Sequence, residues 1–161
     1  MLIRVLKHLL APDWITRRGF SSLRIQEAIR ESEKQHFAQL RFAVEGGLPA
    51  HFLFRNASPR KRAEEVFSQL RVWDTEHNSG VLIYVQRVDR RIEIVADRGI
   101  AAKVGEAEWS AVCRAMEKSF KDGRFTEGAL EAIESCSLIL ARHFPPQGGH
   151  RNELPDRPVF L

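Results

Sequence analysis

Apolar residues recur along this chain in two rhythms, every three to four positions and every second position, and the switches between them mark its elements. Ser21-Ser22 supplies a helix start, and Ile25, Ile29, Ser32 and His36 follow at helical spacing, which predicts an amphipathic helix over about residues 22–36. Leu40, Phe42 and Val44 then alternate with Arg41 and Glu45, a strand closed by Gly46-Gly47. Residues 48–56 carry no clear period. Ser58-Pro59 is an N-cap followed by proline at the first helical position, with Val66, Phe67, Leu70 and Trp73 expected on the apolar face of the helix it opens.

After the polar stretch 74–80, residues 81–85 are apolar on both faces, as a central strand requires. Ile92, Ile94 and Ala96 alternate with Arg91 and Glu93 in a return strand with one wetter face. The Asp89-Arg90 turn between them lacks the glycine or asparagine of the tightest hairpins, so a longer loop is expected. Trp109, Val112, Cys113, Met116 and Phe120 define a helix ended by Gly123, and Leu130, Ile133, Cys136, Leu140 and Phe144 define another.

The order helix, strand, helix, strand, strand, helix, helix implies an α/β fold. It should be a three-layer α/β/α sandwich around a small mixed sheet, a β-α-β parallel pair plus an antiparallel hairpin strand, with helices on both faces. Three regions follow: a basic amphipathic arm (1–21), the α/β domain (22–144) and a Pro/Gly-rich tail (145–161). The tail's apolar end, Val159-Phe160-Leu161, is expected to dock on the body or on a partner.

Composition narrows this picture. The hydrophobic fraction of 43% and charged fraction of 29% are those of a globular chain. Two cysteines, Cys113 and Cys136, allow neither a disulfide framework nor a four-ligand zinc site, and suit reduced thiols in a cytoplasmic protein. The first ten residues begin like a signal peptide, but Arg4, Lys7 and His8 interrupt them and Pro12-Asp13-Trp14 replaces a cleavage site, so the segment reads as uncleaved. Residues 1–30 hold six of the 25 Lys/Arg and two of the 21 acids, leaving 19 of each elsewhere. The net charge of +4 is therefore carried by the first thirty residues, most of it by the arm. Residues 1–20 could meet an anionic membrane surface, although a solvated arm or a docked helix is the plainer reading; without interleaved aromatic and basic residues, no nucleic acid is expected.

Candidate chemistry gathers at the open end of the hairpin. With Val88 and Arg91 flanking the turn, Ala96 lies near Ile83, Asp97 near Leu82, and Gly99 beside Gly80. The loops 74–79 and 97–99 then become neighbours. Asp74, Glu76, Asn78 and Asp97 offer the oxygen donors that Ca2+ or Mg2+ prefers, with Asp97 the best single candidate for a ligand or a catalytic acid. The plainer reading makes them solvated turn formers. Arg98 is a candidate anion binder near Gly105-Glu106, although Glu106 and Glu108 already answer that helix dipole. Arg60-Lys61-Arg62 reads as a solvated cluster. Cys136 and Arg142 share the C-x5-R spacing of cysteine phosphatases, yet the apolar residues between them suit a helix and a buried thiol. No other nucleophile, zinc or phosphate-loop motif occurs.

The run GVLIYVQRVDRRIEIVADRGI followed by FKDGRFTEG resembles the TPM domain family of bacterial envelope and thylakoid proteins. The matching residues are Gly80, the Asp89-Arg90-Arg91 turn, and Phe120, Gly123, Phe125 and Gly128, within about residues 22–144. The resemblance implies a mixed sheet between helices, an acidic cleft that binds divalent metal in some members, acid phosphatase activity in plant relatives, and LemA-type membrane proteins as companions of bacterial ones. Asn78-Ser79-Gly80 stands where members have Asp-Asn-Gly, and Asp97-Arg98-Gly99 where they have Gly-Tyr-Gly. A non-enzymatic accessory domain, cytoplasmic and peripheral at the inner membrane, is therefore expected. The alternative is a metal-dependent acid phosphatase-like hydrolase acting on phosphate monoesters.

Overall fold

The computed structural model describes residues 2–55, 57–149 and 151–161. In chain order the elements are α1 (Leu2–Leu9), α2 (Trp14–Arg17), α3 (Ser22–Ser32), β1 (Gln39–Glu45), α4 (Ala50–Phe54), α5 (Pro59–Gln69), β2 (Gly80–Gln86), β3 (Arg91–Ala96), α6 (Arg98–Ala101), α7 (Glu106–Lys121), α8 (Phe125–His143) and β4 (Val159–Phe160). The sheet runs β3-β2-β1-β4, with β1 parallel to both β2 and β4, and β3 antiparallel to β2.

Helices cover both faces, as the chain's periodicities require. On one face, Ile25 and Ile29 of α3, Trp109, Val112 and Met116 of α7, and Ile133, Cys136 and Leu140 of α8 pack on Leu40, Phe42, Val81, Ile83 and Ile94. On the other, Ala63 and Val66 of α5, with Val72 and Leu154, cover Ala43, Leu82, Tyr84 and Val95. A sheet sandwiched this way leaves β1 and β2 dry on both sides, and both are buried along their whole length.

Capping places the helix starts where local chemistry predicts. Ser21 Oγ accepts from Arg24 N, and Ser58 Oγ from Lys61 N with Pro59 in the first turn. Four expectations change. The first helix stops at Ser32 rather than near 36, because His36 folds back, with Nε2 2.9 Å from Ser32 Oγ and Nδ1 3.1 Å from Ala38 O. The helix after Ser58 ends at Gln69; Arg71 takes a left-handed φ of 54°, Val72 turns inward, and Trp73 is left 47% exposed instead of on the apolar face. Residues 50–54 form the short α4 within the stretch that had no assignment, while Asn56 lies outside the described residues. The tail adds a fourth strand: Val159 and Phe160 align with Ala43 and Val44, and Leu161 N donates to Val44 O at 2.8 Å.

Candidate functional site

The hairpin mouth is built as expected in kind but with a different register. Gln86 faces Arg91 across the four-residue turn 87–90, in which Arg90 has a φ of 55°. Ala96 therefore pairs with Val81, not Ile83, and Asp97 N donates to Gly80 O at 2.8 Å. Gly99 sits beside Asn78 rather than Gly80, donating to Asn78 O at 3.0 Å. The longer turn moves every partner by two places. It also preserves the facing sides, since side chains repeat every second residue. The loops 74–80 and 97–99 do meet. Neither Gly80 nor Gly99 leaves room for a side chain, the first against the Val72 carbonyl and the second against those of His77 and Asn78.

The four candidate metal ligands are not gathered into one cluster. Asp74 is exposed and ion-paired to Arg71 at 2.6 Å. Glu76 is exposed, and its amide N–H donates to Glu153 of the tail at 2.8 Å. Asn78 holds a φ of 51° and contributes its carbonyl to Gly99. Asp97 caps α6 by accepting from Arg98 N at 2.8 Å through Oδ1, while its Oδ2 is buried without a partner. No group of three or more His, Cys, Asp or Glu able to hold a metal ion occurs among the described residues. The Arg98 side chain is exposed on the first turn of α6, and Glu106 lies 3.5 Å from Arg60.

Other singled-out residues take structural positions. Phe125 joins an aromatic cluster with Phe20 and Phe120, over which the Arg87 guanidinium stacks 4.0 Å from the Phe125 centroid. Gly123 adopts a φ of 76° after α7, and Gly128 lets α8 approach Ser119 and Phe120. Cys136 is buried within α8, where burial pushes its thiol up; burial likewise raises Cys113 to about 12. Neither thiol is a nucleophile in that state.

The solvated reading of Arg60-Lys61-Arg62 is corrected for two of its three members. Arg60 Nη1 reaches the Ile94 carbonyl at 2.6 Å. Arg62 is buried and paired with Glu45, which also accepts from the Tyr84 hydroxyl. Burial, reinforced by the Glu45 charge, drives the Tyr84 hydroxyl far above its ordinary range. Among the three, only Lys61 is exposed.

The opposite end of the sheet is covered by the N-terminal segment. Arg4 donates to both carboxylate oxygens of Asp89 in the hairpin turn, at 2.7 to 3.2 Å. His8 is buried; its Nδ1 accepts from Leu48 N at 2.9 Å and its Nε2 lies 3.1 Å from Asp89 Oδ1. Burial would raise the Asp89 carboxyl, but Arg4 and His8 hold it below the usual carboxylate range. Gly46 and Gly47 make the close approach feasible: a side chain on Gly47 would strike the His8 carbonyl, and one on Gly46 the Thr16 hydroxyl. Arg4 and His8 of α1 thus point inward, while Lys7 is exposed. Leu2 (81% exposed), Ile3, Leu6 (55%), Leu9, Leu10 (70%) and Trp14 point outward. Of the two plainer expectations for the arm, solvated or docked, the structure has the docked helix, and the sequence does not say which side it docks by. The signal available was the i, i+4 pair Arg4 and His8, which places both polar groups on one side of a helix.

No helix among the described residues is long and apolar enough to cross a membrane. No curated protein matches the chain. Solved structures similar to it include two bacterial proteins. The BA42 protein of the psychrophilic bacterium Bizionia argentinensis is 29% identical with a TM-score of 0.75, the match covering 87% of this chain and 94% of that one. The N-terminal domain of a protein from P. gingivalis is 15% identical with a TM-score of 0.62, covering 86% of this chain and 93% of that one, a likeness of fold alone. The TPM domain model matches residues 19–137, the span that holds the hairpin, its mouth and the α7–α8 glycine element, and the chain belongs to the TPM domain family.

Proposed function

We propose that this TPM domain is a non-enzymatic accessory module that works by docking through residues 1–20 at the inner membrane surface, in the company of a LemA-type membrane protein. The observation that carries this reading is the inverted polarity of α1: Arg4 and His8 are spent on Asp89 and the Leu48 amide, and its leucines face outward. A short helix that turned its apolar side to its own core would gain burial. Holding the opposite orientation suits a segment whose apolar partner lies outside the chain. The test is fractionation of cells expressing the full chain. Recovery with membranes, lost in a Leu6→Gln/Leu9→Gln variant, is the expected result; recovery of both proteins only in the supernatant would reject the reading.

A second reading, a Ca2+ or Mg2+ site at the hairpin mouth, is favoured by one observation, the buried and unpartnered Oδ2 of Asp97. Hard cations take such carboxylate oxygens together with backbone carbonyls. The donor set is thin, because Asp74 is committed to Arg71 and Glu76 faces solvent. The phosphatase-like alternative draws on the same carboxylate and on nothing further. Titration with Ca2+ and Mg2+, followed by amide shifts, should move residues 78–80 and 97–99 in the native chain and not in Asp97→Ala. An unmoved spectrum removes both the cation and the phosphatase reading.

A further inference from the structure

We infer that the outer face of α1, continued by Leu10 and Trp14 and bordered by Lys7, Arg17 and Arg18, binds the surface of an anionic lipid bilayer. The inference rests on the docking reading above and names its partner as the lipid itself.

Three features of the face converge on that occupant. The first is geometric. With 3.6 residues per turn, Leu2, Ile3, Leu6, Leu9 and Leu10 fall on an arc of about 120°, centred opposite Arg4 and His8. Those two residues are anchored, Arg4 on Asp89 and His8 on the Leu48 amide, so the protein sets the direction in which the arc points. The second feature is charge. Lys7, Arg17 and Arg18 are exposed, and none has a carboxylate partner among the described residues. Asp13 is the single acid in residues 2–20, and Asp89 beneath α1 is already taken by Arg4 and His8. Lys7 falls next to Ile3 on the helical wheel and puts positive charge at the margin of the apolar arc. Arg17, whose guanidinium lies over the Phe160 ring, and Arg18 add exposed charge on the segment that follows, the pattern of helices that lie in an anionic interface.

The third feature is shape. The leucines stand out from a convex helix rather than lining a groove. A deformable lipid surface accepts such a projecting ridge without needing a groove cut to fit it. Trp14, four residues on from Leu10, is exposed as well, with the Arg18 guanidinium 5.2 Å over its ring. An amphipathic indole beside a basic side chain suits the headgroup level.

The experiment is co-sedimentation of the purified full chain with vesicles of phosphatidylcholine alone and of phosphatidylcholine mixed with phosphatidylglycerol, at low and high salt. Binding to the mixed vesicles, weakened by salt and far weaker on phosphatidylcholine alone, is expected. Leu6→Gln/Leu9→Gln should lower partitioning by more than about tenfold. Lys7→Gln and Arg18→Gln should each lower it roughly fivefold on mixed vesicles. All four positions are exposed, so an unchanged near-ultraviolet circular dichroism spectrum should accompany each loss. Failure of the folded chain to sediment with either vesicle overturns the inference, as does equal binding to both. Sedimentation velocity showing a dimer that Leu6→Gln/Leu9→Gln dissolves would assign the face to a second copy. If cell membranes retain the protein while vesicles do not, the lipid assignment falls, and docking through a membrane protein remains.

Discussion

Arg4 and Asp89 are joined by a bifurcated ion pair across 85 residues of sequence, and this contact decides which side of α1 the protein shows to its surroundings. The pair is only partly shielded, with side-chain exposures of 34% and 20%. Its worth lies in orientation more than in global stability, since part-exposed pairs contribute on the order of 1 kcal/mol or less.

Because the folded Asp89 carboxyl is held below its ordinary value, its contribution is present above the unfolded aspartate range and is lost as pH falls through the folded value. Acid should therefore loosen α1 while the sheet stays folded. Protection of amides 6–10 against hydrogen exchange, corrected for the intrinsic rate at each pH, should fall below about pH 4, the ordinary aspartate value, and Asp89→Asn should show the low protection already at neutral pH. Equal protection in the variant and the native chain would show that the ion pair does not hold the helix.

Arg62 and Glu45 form a buried pair beneath α5, with Tyr84 donating to the same carboxylate. Removing one partner strands the other charge, so Arg62→Met is expected to cost about 3–5 kcal/mol in urea unfolding. The double variant Arg62→Met/Glu45→Gln should recover most of that loss. A single variant within about 1 kcal/mol of the native chain would mean that the strand end readmits water.

Glu33 presents the opposite sign. It accepts from Leu40 N at 2.7 Å, and burial, against that hydrogen bond and with the Asp156 charge adding to it, pushes its carboxyl up to about 8. The folded state then holds a proton that the unfolded state releases near its ordinary value of about 4.3. Stability should fall as pH rises between those values. Glu33→Gln, which keeps the acceptor, should flatten this slope and stabilise the protein at pH 8 by on the order of a few kcal/mol. Parallel pH profiles for the two proteins would contradict the argument.

Gly128 sits where α8 crosses α7, and a Cβ there would lie 2.8 Å from Ser119 Cβ and 3.0 Å from the Phe120 ring. Alanine favours a helix interior by about 1 kcal/mol, but the overlap forces the helices apart. Gly128→Ala should lower stability by roughly 1–2 kcal/mol and Gly128→Val by more, read from thermal unfolding. A stabilised alanine variant would show that the Phe120 ring yields at no cost.

Local chemistry made several elements readable without coordinates. Ser58-Pro59 and Ser21 cap helices because a side-chain oxygen beside a free amide is a contact of three residues' range. The dry strand at 81–85 and its wetter partner follow from alternation, which reports burial on each face directly. The meeting of loops 74–80 and 97–99 follows from the hairpin itself and survives a change of turn length. What no local rule carries is direction and partner choice. α1 is amphipathic in sequence, but which side faces inward depends on Asp89 and the Leu48 amide, groups that lie 85 and 40 residues away. Likewise β4 is two residues long, too short for any period, and exists because the edge of β1 offers unpaired amides and carbonyls to whatever chain reaches it. Periodicity encodes what each residue needs, burial or water; tertiary structure decides which distant group supplies it, because that pairing depends on where the rest of the chain has already been placed.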